Sequence, residues 1–277
     1  MSTLVVKLGG AEAVDATAVI ADVAAHVAAG TPTVLTHGGS TAVDATLERL
    51  GRTPEYVETP AGVTGRFTDA ETMEVFTMVM PGQLNTAITV ELQAAGVDAV
   101  GLSGVDGGLL RGPRKSAVRI VEDGRKRIRR GDHAGRIERV NVPLLSLLLE
   151  AGYTPVVSVP MLADDGVAVN ADADRAAAAI AAAMEATVVL LTDVAGVYAD
   201  PDDPTTLIET VATPAEHAAL TDAAEGFMRR KVMAATEALA GGAARVIIAD
   251  ATGTDPLTAA LAGAGTHISA AAIGADT

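Results

Sequence analysis

Short apolar runs rich in β-branched residues recur along this chain, each stopped by glycine or a polar turn and followed by a stretch with helical spacing. The first, Leu4–Leu8 (LVVKL), ends at Gly9-Gly10; residues 15–29 then carry apolar side chains at helical intervals behind Asp15, which suits an N-cap. Residues 33–36 form the next run, followed by His37-Gly38-Gly39 and a helical stretch through Leu50. Segments 97–101, 154–159, 187–191 and 244–249 read as further buried strands flanked by helices. This alternation predicts an α/β fold, a mainly parallel sheet covered on both faces. Ligands of such sheets bind at the carboxyl ends of the strands, which draws attention to the two glycine loops.

Such a sheet needs a large core. With 277 residues, 49% of them apolar, the chain can build one large domain or two lobes sharing a sheet; with only 2% aromatics, the core must come from Ala, Val, Leu and Ile. No apolar run approaches the ~18 residues of a membrane span, and the N-terminus goes straight into a strand instead of a leader-like segment. There is no cysteine, hence no disulfide framework or thiolate metal site. A cytoplasmic location and no membrane association are expected.

The net charge is −15, and only four of the twenty basic residues are lysines. That argues against a general nucleic-acid binder. Abundant Asp and Ala with scarce Lys resembles proteins of salt-loving archaea, although GC-rich codon usage produces the same bias. One segment reverses the sign: residues 111–139 hold eleven basic side chains against four acidic ones, leaving −22 elsewhere. There, SAVRIVEDGRKRIRRG places Asp123-Gly124 between two β-like stretches, a hairpin signal. The chain is expected to carry a basic β-hairpin flap on an acidic body. The alternative is a solvated hairpin with no partner.

Four features could carry chemistry. The Gly9-Gly10 and Gly38-Gly39 pairs let the backbone approach a phosphate, but fit neither the dinucleotide nor the P-loop pattern, and tight turns also explain them. Lys7, at the end of an apolar strand, suggests an anion clamp; the alternative is a snorkelling lysine. The run Asn170-Ala171-Asp172-Ala173-Asp174 precedes an alanine-rich helix, so one aspartate suits its N-cap, which leaves the other polar side chains over. Basic Arg229, Arg230 and Lys231 near the start of a helix oppose its macrodipole unless an anion lies there.

In order, KLGG (7–10), HGGS (37–40), GRFTD (65–69), NADAD (170–174), LLTDVAGVY (190–198) and GFMRRKVMAA (226–235) resemble the acetylglutamate kinase branch of the amino acid kinase family, over nearly the whole chain. Segments 67–85, 100–115 and 122–141 are more similar still to its members that act on glutamate or 2-aminoadipate tethered to the acidic amino-group carrier protein LysW. The resemblance implies a three-layer αβα sandwich with a substrate lobe over about residues 1–165 and a nucleotide lobe over about 166–277. It also implies a phosphotransferase that uses ATP with Mg²⁺, the metal held mainly by the nucleotide, and a homodimer or higher homo-oligomer. Lys7 would stabilise the transferring phosphoryl group, Lys231 the ATP phosphates, and Asp174 would orient both, with Asp172 as the alternate. Gly38, Gly39, Arg66 and Asn170 would contact the substrate; Gly9, Gly10 and Asp193 the nucleotide. The flap residues Arg125, Lys126, Arg127, Arg129 and Arg130 would dock the carrier. Ser40 and Phe227 depart from the pattern, standing where glycines are common. Competing readings are a kinase of free N-acetylglutamate, a non-catalytic amino-acid or nucleotide sensor on the same fold, and a nicotinamide dehydrogenase, for which the GxGxxG pattern is missing.

Overall fold

In the computed structural model, residues 2–9, 16–60, 62, 64–122 and 125–274 are described; the predicted Asp15 cap, Gly10 and the Asp123-Gly124 turn lie outside them. All six predicted strands form, and they share one sheet. Leu4–Leu8 lies in its middle, parallel to Thr33–His37 on one side and Thr187–Thr192 on the other. Beyond Thr33–His37 comes the long Thr154–Ala163 strand, parallel to it and to Ala99–Gly104. On the other side Arg245–Asp250 continues the parallel array, Thr266–Ser269 follows antiparallel, and Thr210–Val211 pairs parallel with that strand at the edge.

Period-two alternation sends the strand side chains to two separate cores. Val5, Val34, Val157, Val188 and Leu190 face one way, towards helices Ala173–Ala183 and Gly226–Ala240. Leu4, Val6, Leu8, Leu35 and Leu191 face the other, against Ala16–Ala28, Asn85–Ala94 and Pro256–Leu261. Each fully buried Val, Leu or Ile contributes roughly 1.5–3 kcal/mol, which is how a core almost without aromatics holds. The first face is completed by alanines: Ala176, Ala177 and Ala181 of one helix are buried in the same cluster as Ala234, Ala235 and Ala238 of the other. Small side chains let helices approach closely, and this pair brings Asp174 and Lys231 together.

Three smaller features shape the site. Between helices Ala70–Thr77 and Asn85–Ala94 the chain makes a π-helical turn, Met78–Leu84, containing Pro81. Proline cannot donate an intrahelical bond and collides with the carbonyl four residues back, so a wider turn accommodates it. A short hairpin pairs Tyr56–Glu58 with Thr64–Arg66. The expected basic flap is present as Arg114–Glu122 paired with Arg125–Gly135, in antiparallel register from Glu122↔Arg125 down to Arg114↔Gly135 with an irregularity between Lys115 and Ala117. Among the described residues no helix is long and apolar enough to cross a membrane.

Candidate active site

Lys7 shares the sheet face of Val5, so its side chain enters the first core and is only 5% exposed. An ammonium there must be paired. Its partner is Asp174, whose Oδ1 lies 2.8 Å from Lys7 Nζ and whose Oδ2 accepts from Lys231 Nζ at 3.0 Å. Asp174 sits in the first turn of Ala173–Ala183 and is itself buried; Lys231 comes from the second turn of Gly226–Ala240. Burial pushes the Asp174 carboxyl up, but the charges of Lys7 and then Lys231 outweigh it and hold the group well below the usual carboxylate range. Lys231 is lowered, first by burial and then by Lys7, with Asp174 opposing. Two ammonium groups around one carboxylate leave a net positive charge in a largely dry site, a natural seat for a phosphate anion.

The sequence left open which aspartate of the Asn170–Asp174 run organises the lysines, and the geometry separates them. Asp172 is the N-cap, accepting from Arg175 N at 3.1 Å, and pairs with the Arg230 guanidinium. Arg230 and Lys231 therefore face carboxylates of their own chain, Asp172 and Asp174. The expectation that basic residues near a helix start require an external anion is corrected to that extent.

The second glycine loop is also more specific than the sequence suggested. Gly38 N–H donates to Leu8 O at 3.0 Å, so this amide is spent inside the fold and cannot hold a ligand. Gly39 is the N-cap of helix Ser40–Arg49 and has no capping side chain, which leaves first-turn amides directed outward. A Cβ on Gly39 would overlap Leu84 Cδ1 and come within 2.7 Å of Met80 Sδ, so a side chain there would have to displace the ends of these two side chains of the π-helical turn. His37, before the loop, is buried and pulled down to about 4 by that burial, against the opposing bond to Gly38 and with help from Lys7. It is therefore neutral near pH 7. Its Nδ1 lies 3.0 Å from Gly38 O and its Nε2 3.3 Å from Asn85 Nδ2, which also donates to Val156 O at 2.9 Å. That pattern fits an Nδ1–H tautomer.

The unfolded chain takes up the His37 proton near pH 6.5 and the folded one only near 4, so acid favours unfolding. Stability is expected to fall as pH drops from about 7, with His37 alone costing about 2 kcal/mol by pH 5. Urea midpoints across that range check this, and His37→Gln should flatten the dependence.

Arg66 does not stand free as a carboxylate clamp. It pairs with Asp44, donates to Ser40 Oγ at 2.8 Å and to the Tyr56 hydroxyl at 2.9 Å, and lies over the Tyr56 ring. Ser40, a departure from the glycine pattern, thus supports Arg66, whereas Phe227 is 74% exposed. Asn170 Nδ2 donates to Thr68 Oγ1 at 3.0 Å. Gly9 follows the Lys7 strand, and Asp193 lies exposed just beyond Thr187–Thr192, accepting from Thr192 Oγ1 at 3.0 Å.

Sequence reasoning missed Asp44, Tyr56, Asn85 and Thr36. Thr36 is in register with Lys7, and its buried hydroxyl has no hydrogen-bond partner. Asparagine and threonine carry no charge signal, and only folding sets Asp44 and Tyr56 against Arg66, Asn85 against His37 and Thr36 beside Lys7. Two open clefts of about 510 Å³, one beside Met73 and His133 and one beside Asp250 and Gly265, are not lined by Lys7, Asp174 or Lys231; charge marks this site better than cavity size.

Of the flap residues expected to dock a carrier, two are already engaged. Arg127 pairs with Glu122, and Arg129 holds Glu55. Arg125, Lys126 and Arg130 are exposed, and none of them forms an ion pair with another of the described residues. Cross-strand register puts Arg119, Lys126, Ile128 and Arg130 on one face of the hairpin, all exposed, with Ile128 at 64%; Ile120, Arg127 and Arg129 occupy the other.

The mainly parallel sheet sets Lys7, Asp174 and Lys231 in one buried cluster, and the chain belongs to the amino acid kinase family, whose sequence profile matches residues 2–250. Among relatives, LysW-aminoadipate kinase of Deinococcus radiodurans is 45% identical over 97% of this chain and 92% of its own length. LysW-aminoadipate kinase of Thermus thermophilus is 42% identical over 96% and 99%. N-acetylglutamate synthase of Neisseria gonorrhoeae, solved with coenzyme A and N-acetyl-glutamate, superposes with a TM-score of 0.75 at 28% identity; this chain is covered to 97% but spans only 59% of that protein.

Proposed function

We propose that this kinase uses ATP to phosphorylate the side-chain carboxylate of 2-aminoadipate, glutamate or both, carried on the acidic protein LysW. The observation that carries the phosphotransfer is the Lys7–Asp174–Lys231 cluster. The carboxylate nucleophile has a pKa near ~4.3, so it is ionised at neutral pH and needs no general base. It needs help approaching a polyanion. Its oxygen attacks the γ-phosphorus, the bond to the bridging oxygen breaks, ADP leaves with the electron pair, and an acyl phosphate forms. Lys7 would neutralise the transferring group and Lys231 the nucleotide phosphates, with Asp174 fixing both in a dry environment where such charges act strongly. Mg²⁺ bound to the nucleotide would neutralise further charge on the phosphates; the net positive, preorganised cluster fits a metal–nucleotide complex. Gly9, Gly10 and Asp193 would border the nucleotide; Gly39 and the amides behind it, Asn170 and Arg66 would receive the substrate.

Docking on the flap is supported by the reversal of charge there, and the exposed cations favour its Arg119, Lys126 and Arg130 face around Ile128. The relatives' names support a tethered substrate. The deciding assay offers ATP with carrier-bound aminoadipate, carrier-bound glutamate or free N-acetylglutamate, at low and high salt. Carrier-bound substrate should be preferred. Equal or faster turnover of the free acid would make this an acetylglutamate kinase, and no turnover of any would make it a sensor. Replacing Arg119, Lys126 and Arg130 together by glutamine should raise KM for carrier-bound substrate about tenfold or more with little change in kcat. An unchanged KM removes this docking face. At salt near 1 M, where screening acts within about 3 Å, only touching charges would still matter.

A further inference from the structure

The flap, the Arg66 hairpin and Asn170 are sewn into one unit. At the flap's root, His133 N–H donates to Thr68 O and Asn170 N–H to His133 O, both at 2.7 Å, while Gly135 N–H donates to Asn170 O at 2.8 Å. Thr68 N–H is in turn bound to the buried Asp132 carboxylate at 3.1 Å. Thr68 follows Arg66 by two residues, so both side chains proposed to meet the substrate are tied to the base of the flap.

Above that root, one side chain makes a second tie. Arg129 reaches both oxygens of Glu55 with its two terminal nitrogens, and its guanidinium carbon lies 3.9 Å from the centre of the Phe67 ring. Glu55 and Phe67 are the residues immediately before and after the Tyr56–Glu58/Thr64–Arg66 hairpin, and they close its base through Phe67 N–H to Glu55 O at 2.9 Å. Arg129 thus grips both ends of the hairpin that carries Tyr56 and Arg66. A planar fork can pair a carboxylate and stack on a ring together; a lysine ammonium cannot do both.

We infer that Arg129 is a positioning residue: it holds the hairpin carrying Arg66 in register with the flap, so that the flap's placement is felt at Arg66, the guanidinium proposed to receive the substrate. Arg129 is therefore removed from the docking set, where the charge reversal and the family resemblance together had put it. The inference rests on the kinase reading for its kinetic consequence but not for its mechanical one, and two measurements keep these apart.

The first is hydrogen exchange in the intact protein. Arg129→Lys and Glu55→Gln should each speed exchange of the described amides of the 56–66 hairpin about tenfold, while Lys126→Gln leaves them unchanged. The second is steady-state kinetics with the acyl-acceptor substrate and with ATP. Both clamp variants should raise KM for the acceptor about tenfold and leave KM for ATP within twofold, and the double variant should be no worse than either single one. A docking role for Arg129 predicts the reverse for Glu55→Gln, which would free the guanidinium and tighten the acceptor. Unchanged exchange in both clamp variants, additive effects, or improvement by Glu55→Gln would overturn the assignment. A wild-type protein that turns over no substrate would overturn the kinase reading alone, since the exchange result stands without it.

Discussion

Asp174→Asn is expected to lower kcat by about 10²–10³-fold while leaving the affinity for ATP unchanged or improved. The sign of the second effect follows from the charge count. With the carboxylate, Lys7 and Lys231 carry one net positive charge; without it they carry two, and a nucleotide polyanion is attracted more, not less. Turnover falls because the amide cannot balance both ammonium groups or hold both in place. Lys231, already lowered by burial and by Lys7, would then shed its proton more readily. Breaking a buried ionic cluster by removing one partner costs about 3–5 kcal/mol, so the urea midpoint should drop as well, and bound ATP should restore part of it. ATP titration by calorimetry and single-turnover rates at saturating ATP test this. A variant that works within threefold of wild type would exclude Asp174 as the organiser.

Lys7→Met and Lys231→Met should each lower kcat by about 10²–10³-fold, and the double variant should be far less than multiplicatively worse, because the two act on one phosphate tail. Their stability effect should be smaller than that of Asp174→Asn: each leaves a one-to-one pair with Asp174 instead of two unmatched cations. Lys231→Met should weaken ATP binding, as the nucleotide-side ammonium, whereas Lys7→Met should act mainly on kcat. Near-normal turnover in either variant would remove the cationic cradle from the mechanism.

The acidic body and the basic flap show how far a charge count carries. The eleven basic residues between 111 and 139 were visible as a reversal of sign, and the hairpin followed from its turn signal. Which arginines are free was not visible. Cross-strand register decides that Arg119, Lys126 and Arg130 share a face with Ile128, while Arg129 turns inward because Glu55 and Phe67, more than sixty residues earlier, wait there. The same holds for Gly38: a glycine loop after a strand is legible, but only the neighbouring strand, which supplies Leu8 O, shows that this amide is not available.

What the linear chain determined was local and periodic. Alternating strands and helices defined the parallel sheet; Lys7, Lys231 and the Asn170–Asp174 run were each recognisable within their own motif; and the scarcity of aromatics required a core of small side chains. Only the tertiary structure decided which groups meet. Lys7 and Lys231, 224 positions apart, come to the two oxygens of one carboxylate because a central strand and two alanine-faced helices stack on a common sheet face. Neutral His37, the Asp44–Arg66 pair and the Arg129 clamp arise the same way. Burial, pairing and charge balance are properties of the packed neighbourhood, and no stretch of sequence contains its own neighbours in space.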